Sequence, residues 1–132
     1  MEKTKEEKIA LINETVAYYS EDPLRRCFYE SGECFYSGTN NKNATSEGCA
    51  IGRLIPKELA EELDKEFFYD IGNSGVKEIF DRLPIDLQAY GVKFLSELQG
   101  LHDNPEYWRE HGLSDEGAER VELLIYNLMN DI

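Results

Sequence analysis

The sequence predicts an α+β fold that is mostly α: about five helices in an irregular bundle with one small β-hairpin. Three observations predict it. Apolar residues recur at spacings of three and four through most of the chain, which is the period of a one-sided helix. Between residues 23 and 57 that period vanishes, and aromatic, β-branched and glycine residues take over. The connections are short, with no repeat, linker or low-complexity stretch, so successive elements should stack directly. At 132 residues, 15.2 kDa and 41% hydrophobic, the chain fits a single domain over 1–132, with the hairpin region at 24–56.

Thr4 followed by Glu7 is a capping-box signature opening the first helix, whose inner stripe is Ile9, Ile12, Val16 and Tyr19. Asp22-Pro23 stops it, because the residue before proline is pushed out of helical geometry. Glu33 to Ser37 and Cys49 to Ile55 then read as two strands around a polar, glycine-bounded loop, with Arg26 to Glu30 a candidate third. Pro56 suits the start of a second helix with Leu59, Leu63 and Phe67 inside. Gly72-Asn73-Ser74-Gly75 breaks the chain before a short helix carrying Val76, Ile79, Phe80 and Leu83 inward as far as Pro84. Leu87, Tyr90, Phe94, Leu98 and Leu101 define a longer helix in which Gly91 is the weak position. A brief turn follows Asn104-Pro105 through Tyr107 and Trp108, the latter read as core. Ser114 caps a last helix with Ala118, Val121, Ile125 and Leu128 inside. Tyr126 and Met129 widen that stripe enough for two copies to pack, which would give a homo-oligomer.

Charge narrows the function. Fourteen basic against twenty-seven acidic residues leave −13, which disfavours direct binding to a nucleic-acid backbone. The charged opening segment and the lack of a long apolar run predict a cytoplasmic protein with no membrane contact. Cys27, Cys34 and Cys49 are odd in number and lack a Cys-x-x-Cys knuckle, so they read as small core residues and not as a disulfide or metal framework. His102 and His111 lie near helix ends, where the backbone dipole explains them. The pairs Glu61-Glu62 and Asp115-Glu116 read as solvated helix faces. No nucleophile–base pair or phosphate loop emerges, so neither an enzyme nor a cofactor is expected.

The acidity is uneven. From Pro23 to Lys57 five basic residues meet three acidic ones, a net +2, while the remainder carries −15. The cationic stretch also holds Phe28, Tyr29, Phe35 and Tyr36, so Arg25, Arg26 and Arg53 with Phe35 and Tyr36 form the predicted ligand-binding set. Guanidinium forks grip phosphate or carboxylate, and flat rings offer a face to a base. The predicted ligand is small, anionic and nucleotide-like. A structural alternative has Arg53 paired to an acidic helix.

Cys34-Phe35-Tyr36 followed by Gly48-Cys49-Ala50-Ile51-Gly52-Arg53-Leu54-Ile55-Pro56 resembles a pattern in small bacteriophage and prophage accessory proteins. In these a Cys-x-Tyr strand and a Gly-x-x-Cys-Ala-(Ile/Val)-Gly-x-Leu-Ile-Pro strand frame a glycine turn. The loop is longer here, and Lys57 stands where an acidic residue commonly follows the proline. The resemblance covers about a fifth of the chain and implies a phage-type accessory protein in the host cytoplasm, working against host defence; it supplies no activity. The alternative is an acidic protein–protein inhibitor, or nucleic-acid mimic, that occupies a basic host protein.

Overall fold

The structure is a computed structural model, and it describes residues 2–21, 50–63, 65, 76–109 and 112–132. Among them the fold is mostly α with one small antiparallel pair, the class the sequence predicts. The helices are α1 (Lys5–Glu21), α2 (Lys57–Leu63), α3 (Val76–Ile79), α4 (Ile85–Gln88), α5 (Val92–Asp103) and α6 (Asp115–Met129). Strands β1 (Trp108–Arg109) and β2 (Gly112–Leu113) pair antiparallel, Trp108 opposite Leu113.

The capping box at α1 forms as the sequence dictates. The Glu7 amide donates to Thr4 Oγ1 at 3.1 Å, and the Thr4 amide donates back to Glu7 Oε1 at 3.3 Å. That backbone donor foremost, aided by the Thr4 hydroxyl and Lys3, holds the Glu7 carboxyl below its ordinary range. The helix buries Ile12, Thr15 and Tyr19 against β2 and α6.

Two expected elements differ. The strand expected over Cys49 to Ile55 is, in its described part, a 3-10 turn at Gly52–Leu54. Ala50 and Ile51 are consecutive and both fully buried, so neither side of the segment is left to solvent. The Ile51 amide donates to Gln99 Oε1 at 3.2 Å, so a side chain of α5 takes the place of a ladder partner. The other expected strand, Glu33 to Ser37, lies outside the described residues. The long helix expected over 87–101 is divided at Gly91, whose φ of +88° is left-handed. It therefore consists of α4 and α5 meeting at a corner.

The antiparallel pair sits where a brief turn is expected, after a 3-10 turn at Pro105–Tyr107. Trp108 is core, as read from the sequence: its indole Nε1 donates to the Leu101 carbonyl at 2.9 Å, and its ring meets Tyr19 edge-on at 5.9 Å. Gly112 lets β2 approach α1, since a Cβ there would lie 3.0 Å from Ser20 Oγ, and its φ of +132° suits glycine alone. Leu95, Leu98 and Leu101 of α5 are buried to 1% or less, each contributing about 2 kcal/mol of burial.

Ser114 caps α6 as expected, accepting from the Gly117 amide at 3.1 Å and donating its hydroxyl to the Glu106 carbonyl at 2.5 Å. Ser114→Ala should lower stability by about 1–2 kcal/mol in a urea titration with an unchanged slope. The helix's buried positions are Gly117 and Leu124, with Val121, Ile125 and Leu128 partly covered; Ala118, expected inside, is exposed. Leu123, Tyr126 and Met129 face outward. No helix among the described residues is long and apolar enough to cross a membrane.

Candidate functional site

Of the five residues predicted to bind a ligand, Arg25, Arg26, Phe35 and Tyr36 lie outside the described residues, as do Cys27, Cys34 and Cys49. Arg53 is described, and its guanidinium is already engaged. Nη1 donates to Glu14 Oε2 at 3.1 Å, while Nη2 donates to Glu14 Oε1 and, at 3.1 Å, to Thr15 Oγ1. Its Cζ stands 4.5 Å from the centre of the Tyr18 ring and 5.8 Å from that of Tyr19. The side chain is 8% exposed, against 51% for Glu14. The fork that was to grip a ligand is closed on a carboxylate, so Arg53 acts as a clamp holding segment 50–55 to α1. This is the alternative in which Arg53 pairs with an acidic helix. The clamp forms because Glu14, Thr15 and Tyr18 share one side of α1 at helical spacing.

A cationic and aromatic cleft does exist, in a different place. It lies where the first turns of α1, the α4–α5 corner and the end of α6 converge, and encloses about 230 Å³. Lys5 and Lys8 come from α1, Tyr90 from the corner, Lys93 and Phe94 from α5. Leu124, Asp131 and Ile132 close the α6 side.

Local sequence explains the convergence. The turn at Gly91 places Tyr90 over Phe94, their rings stacked with centroids 5.6 Å apart and planes 21° from parallel. The Lys3 amide donates to the Ala89 carbonyl at 2.9 Å, pinning the start of α1 to that corner. Lys3, just before α1, and Lys8, in its first turn, thereby flank the stacked pair. Lys3 Nζ lies 5.3 Å from the Tyr90 ring centre and Lys8 Nζ 5.9 Å from that of Phe94.

The lysines differ in what else they hold. Lys5 pairs with Asp131 at 2.9 Å, and Lys93 donates to the Ile132 backbone oxygen at 3.3 Å. Lys3 pairs with Glu7 at 3.5 Å. The Lys8 ammonium has no carboxylate partner among the described residues and rests on the ring face alone. Such a cleft can receive an anion on its ammonium groups and a flat ring against the half-buried Tyr90, with Phe94 behind it in the core.

Sequence reasoning missed it because its parts are far apart in the chain. Lys3, Lys5 and Lys8 alternate with Glu2, Glu6 and Glu7, so no local charge sum reveals them. Tyr90 and Phe94 read only as core positions. The one usable signal was Gly91, a break directly before the helix that carries Lys93 and Phe94.

His102 is buried in the last turn of α5, its ring 5.0 Å from that of Tyr19, and thus belongs to the core. Glu61, Glu62, Asp115 and Glu116 are exposed. Among the described residues no three His, Cys, Asp or Glu side chains gather closely enough to hold a metal ion. Compared with protein families, curated proteins and solved structures, the chain shows no significant match to any of them.

Proposed function

We propose that this protein binds and sequesters a small anionic, nucleotide-like ligand without transforming it, in the cleft of Lys5, Lys8, Lys93, Tyr90 and Phe94. The observation that carries the reading is Lys8: a charged ammonium kept over Phe94, in a cavity, with no carboxylate of its own. Phosphate would take Lys8 and Lys93, and a base would lie against the half-buried Tyr90, which the core residue Phe94 backs. The surrounding acidic surface repels an extended nucleic acid yet leaves a compact ligand access to a local cation cluster. Sequestration of a nucleotide signal suits the counter-defence role that the resemblance at 34–56 implies for a phage-type protein.

Melting the purified protein with a panel of nucleotides at 1 mM tests it. A ligand bound near 10 µM stabilises by about 2.7 kcal/mol, a rise of roughly 10 °C for a chain of this size. Lys8→Ala should weaken the binding about tenfold while leaving the melting temperature of the free protein unchanged. Absence of any shift across the panel would refute the reading.

A second reading rests on Glu58, Glu61 and Glu62, all exposed on α2, and on Glu116, Glu119 and Glu122 along α6. These faces would occupy a basic host protein in place of its nucleic acid. Its mark would be a captured partner released by moderate salt and lost on charge reversal at Glu58, Glu61 and Glu62.

A further inference from the structure

We infer that the ligand of this cleft is a dinucleotide, held in two adjoining subsites that share Lys93; the inference rests on the reading just proposed. The cleft does not end at Lys93. A second cavity of about 350 Å³ continues from it along α5 and α6, lined in turn by Gly100, Asn104, Tyr107 and Arg120. Lys93 and Glu97 belong to both cavities, so the two are neighbours across a single turn of α5. Along α6 the lining passes from Asn127 in the first cavity to Arg120 in the second, seven residues or about 10 Å of helix.

The second cavity repeats the chemistry of the first. Arg120 is half-buried and, like Lys8, has no ion pair among the described residues, while Tyr107 supplies an aromatic ring. The trough therefore presents Lys8, then Lys93, then Arg120, with rings at either end and one cation in the middle. A mononucleotide fills one half of that pattern. A molecule with two phosphates and two bases satisfies both, one phosphate between Lys8 and Lys93 and the other between Lys93 and Arg120. Glu97, the single carboxylate at the junction, accepts hydrogen bonds from the exocyclic amino group of a base.

Gly100 offers a clean means of testing this. A Cβ at that position would meet nothing within 4 Å, so a larger side chain there fills the second cavity without touching the core. Titration calorimetry with adenosine 5′-monophosphate and with the linear dinucleotide pApA compares the two ligands directly. The dinucleotide should bind at least tenfold more tightly. Arg120→Gln and Gly100→Leu should each bring its affinity down about tenfold, towards that of the monophosphate, whose own binding they leave unchanged. Lys8→Ala should weaken both ligands, and the melting temperature of the free variants serves as the control for folding. Equal affinities for the two ligands, with Arg120→Gln and Gly100→Leu without effect while Lys8→Ala still weakens them, would overturn the two-subsite inference and leave the single cleft standing. Failure of both ligands to bind the unaltered protein would remove both readings.

Discussion

Gly117→Ala is expected to lower the melting temperature by 10 °C or more. On helix propensity alone the change should help, since alanine is favoured over glycine in a helix by about 1 kcal/mol. The packing reverses the sign. A Cβ at Gly117 would lie 2.1 Å from the Tyr107 carbonyl oxygen and 2.9 Å from Leu113 Cδ2. The first of these is backbone, and it is held, because that carbonyl accepts the Ser114 amide at 2.8 Å. To make room, the first turn of α6 must withdraw from the 3-10 turn at Pro105–Tyr107, and the Ser114 hydroxyl must release the Glu106 carbonyl. Together these cost about 3 kcal/mol, the upper end for overpacking. Urea unfolding read by tryptophan fluorescence measures it, because Trp108 lies beside the disturbed turn. A variant as stable as the parent would mean that α6 does not approach this closely.

That contact also illustrates what a sequence discloses. Ser114 as the cap of α6 and Thr4 with Glu7 at α1 were legible, because each device is complete within four residues. The spacing of Val76, Ile79 and Leu83 was legible because helical periodicity is itself a local signal. Gly91 was under-read: a glycine within a continuous apolar period looks tolerated, and only its positive φ shows that the helix turns there. The β1–β2 pair has two residues per strand, too few to display an alternation. Cys49 to Ile55 failed in the opposite way. Its run of apolar residues suits a buried strand or a buried turn equally, and Gln99, distant in the sequence, decides for the turn by satisfying Ile51.

The site was less legible than the fold. Counting charges within a window treats every arginine as available, and Arg53 is not: its partner stands 39 positions earlier on another element. Two cations with no ion pair among the described residues, Lys8 and Arg120, stand in segments whose local sums are neutral or acidic. Chemistry of the expected kind, cations beside flat rings, is present in the described residues, but it is assembled by the fold from residues more than eighty positions apart.

Glu14→Ala should destabilise the protein by about 3 kcal/mol, more than replacing Arg53 itself. The asymmetry follows from burial. Arg53 is 8% exposed and Glu14 51%, so removing the arginine leaves a carboxylate that water solvates, while removing the carboxylate strands a guanidinium in the interior. Arg53 Nε is already buried with no hydrogen-bond partner among the described residues, and the loss of Glu14 would leave Nη1 in the same condition. Arg53→Met keeps most of the packing against Tyr18 and should cost about 1–2 kcal/mol. The double variant should then be more stable than Glu14→Ala alone, because the stranded charge has gone with its partner. A double-mutant cycle by denaturant titration tests this ordering, and simple additivity would show that the pair is not coupled. The same Arg53→Met protein separates structure from binding. Its nucleotide affinity should equal that of the parent, since the Arg53 fork is spent on Glu14 and the proposed cleft draws its charge from Lys8 and Lys93; a tenfold loss would restore Arg53 to the ligand.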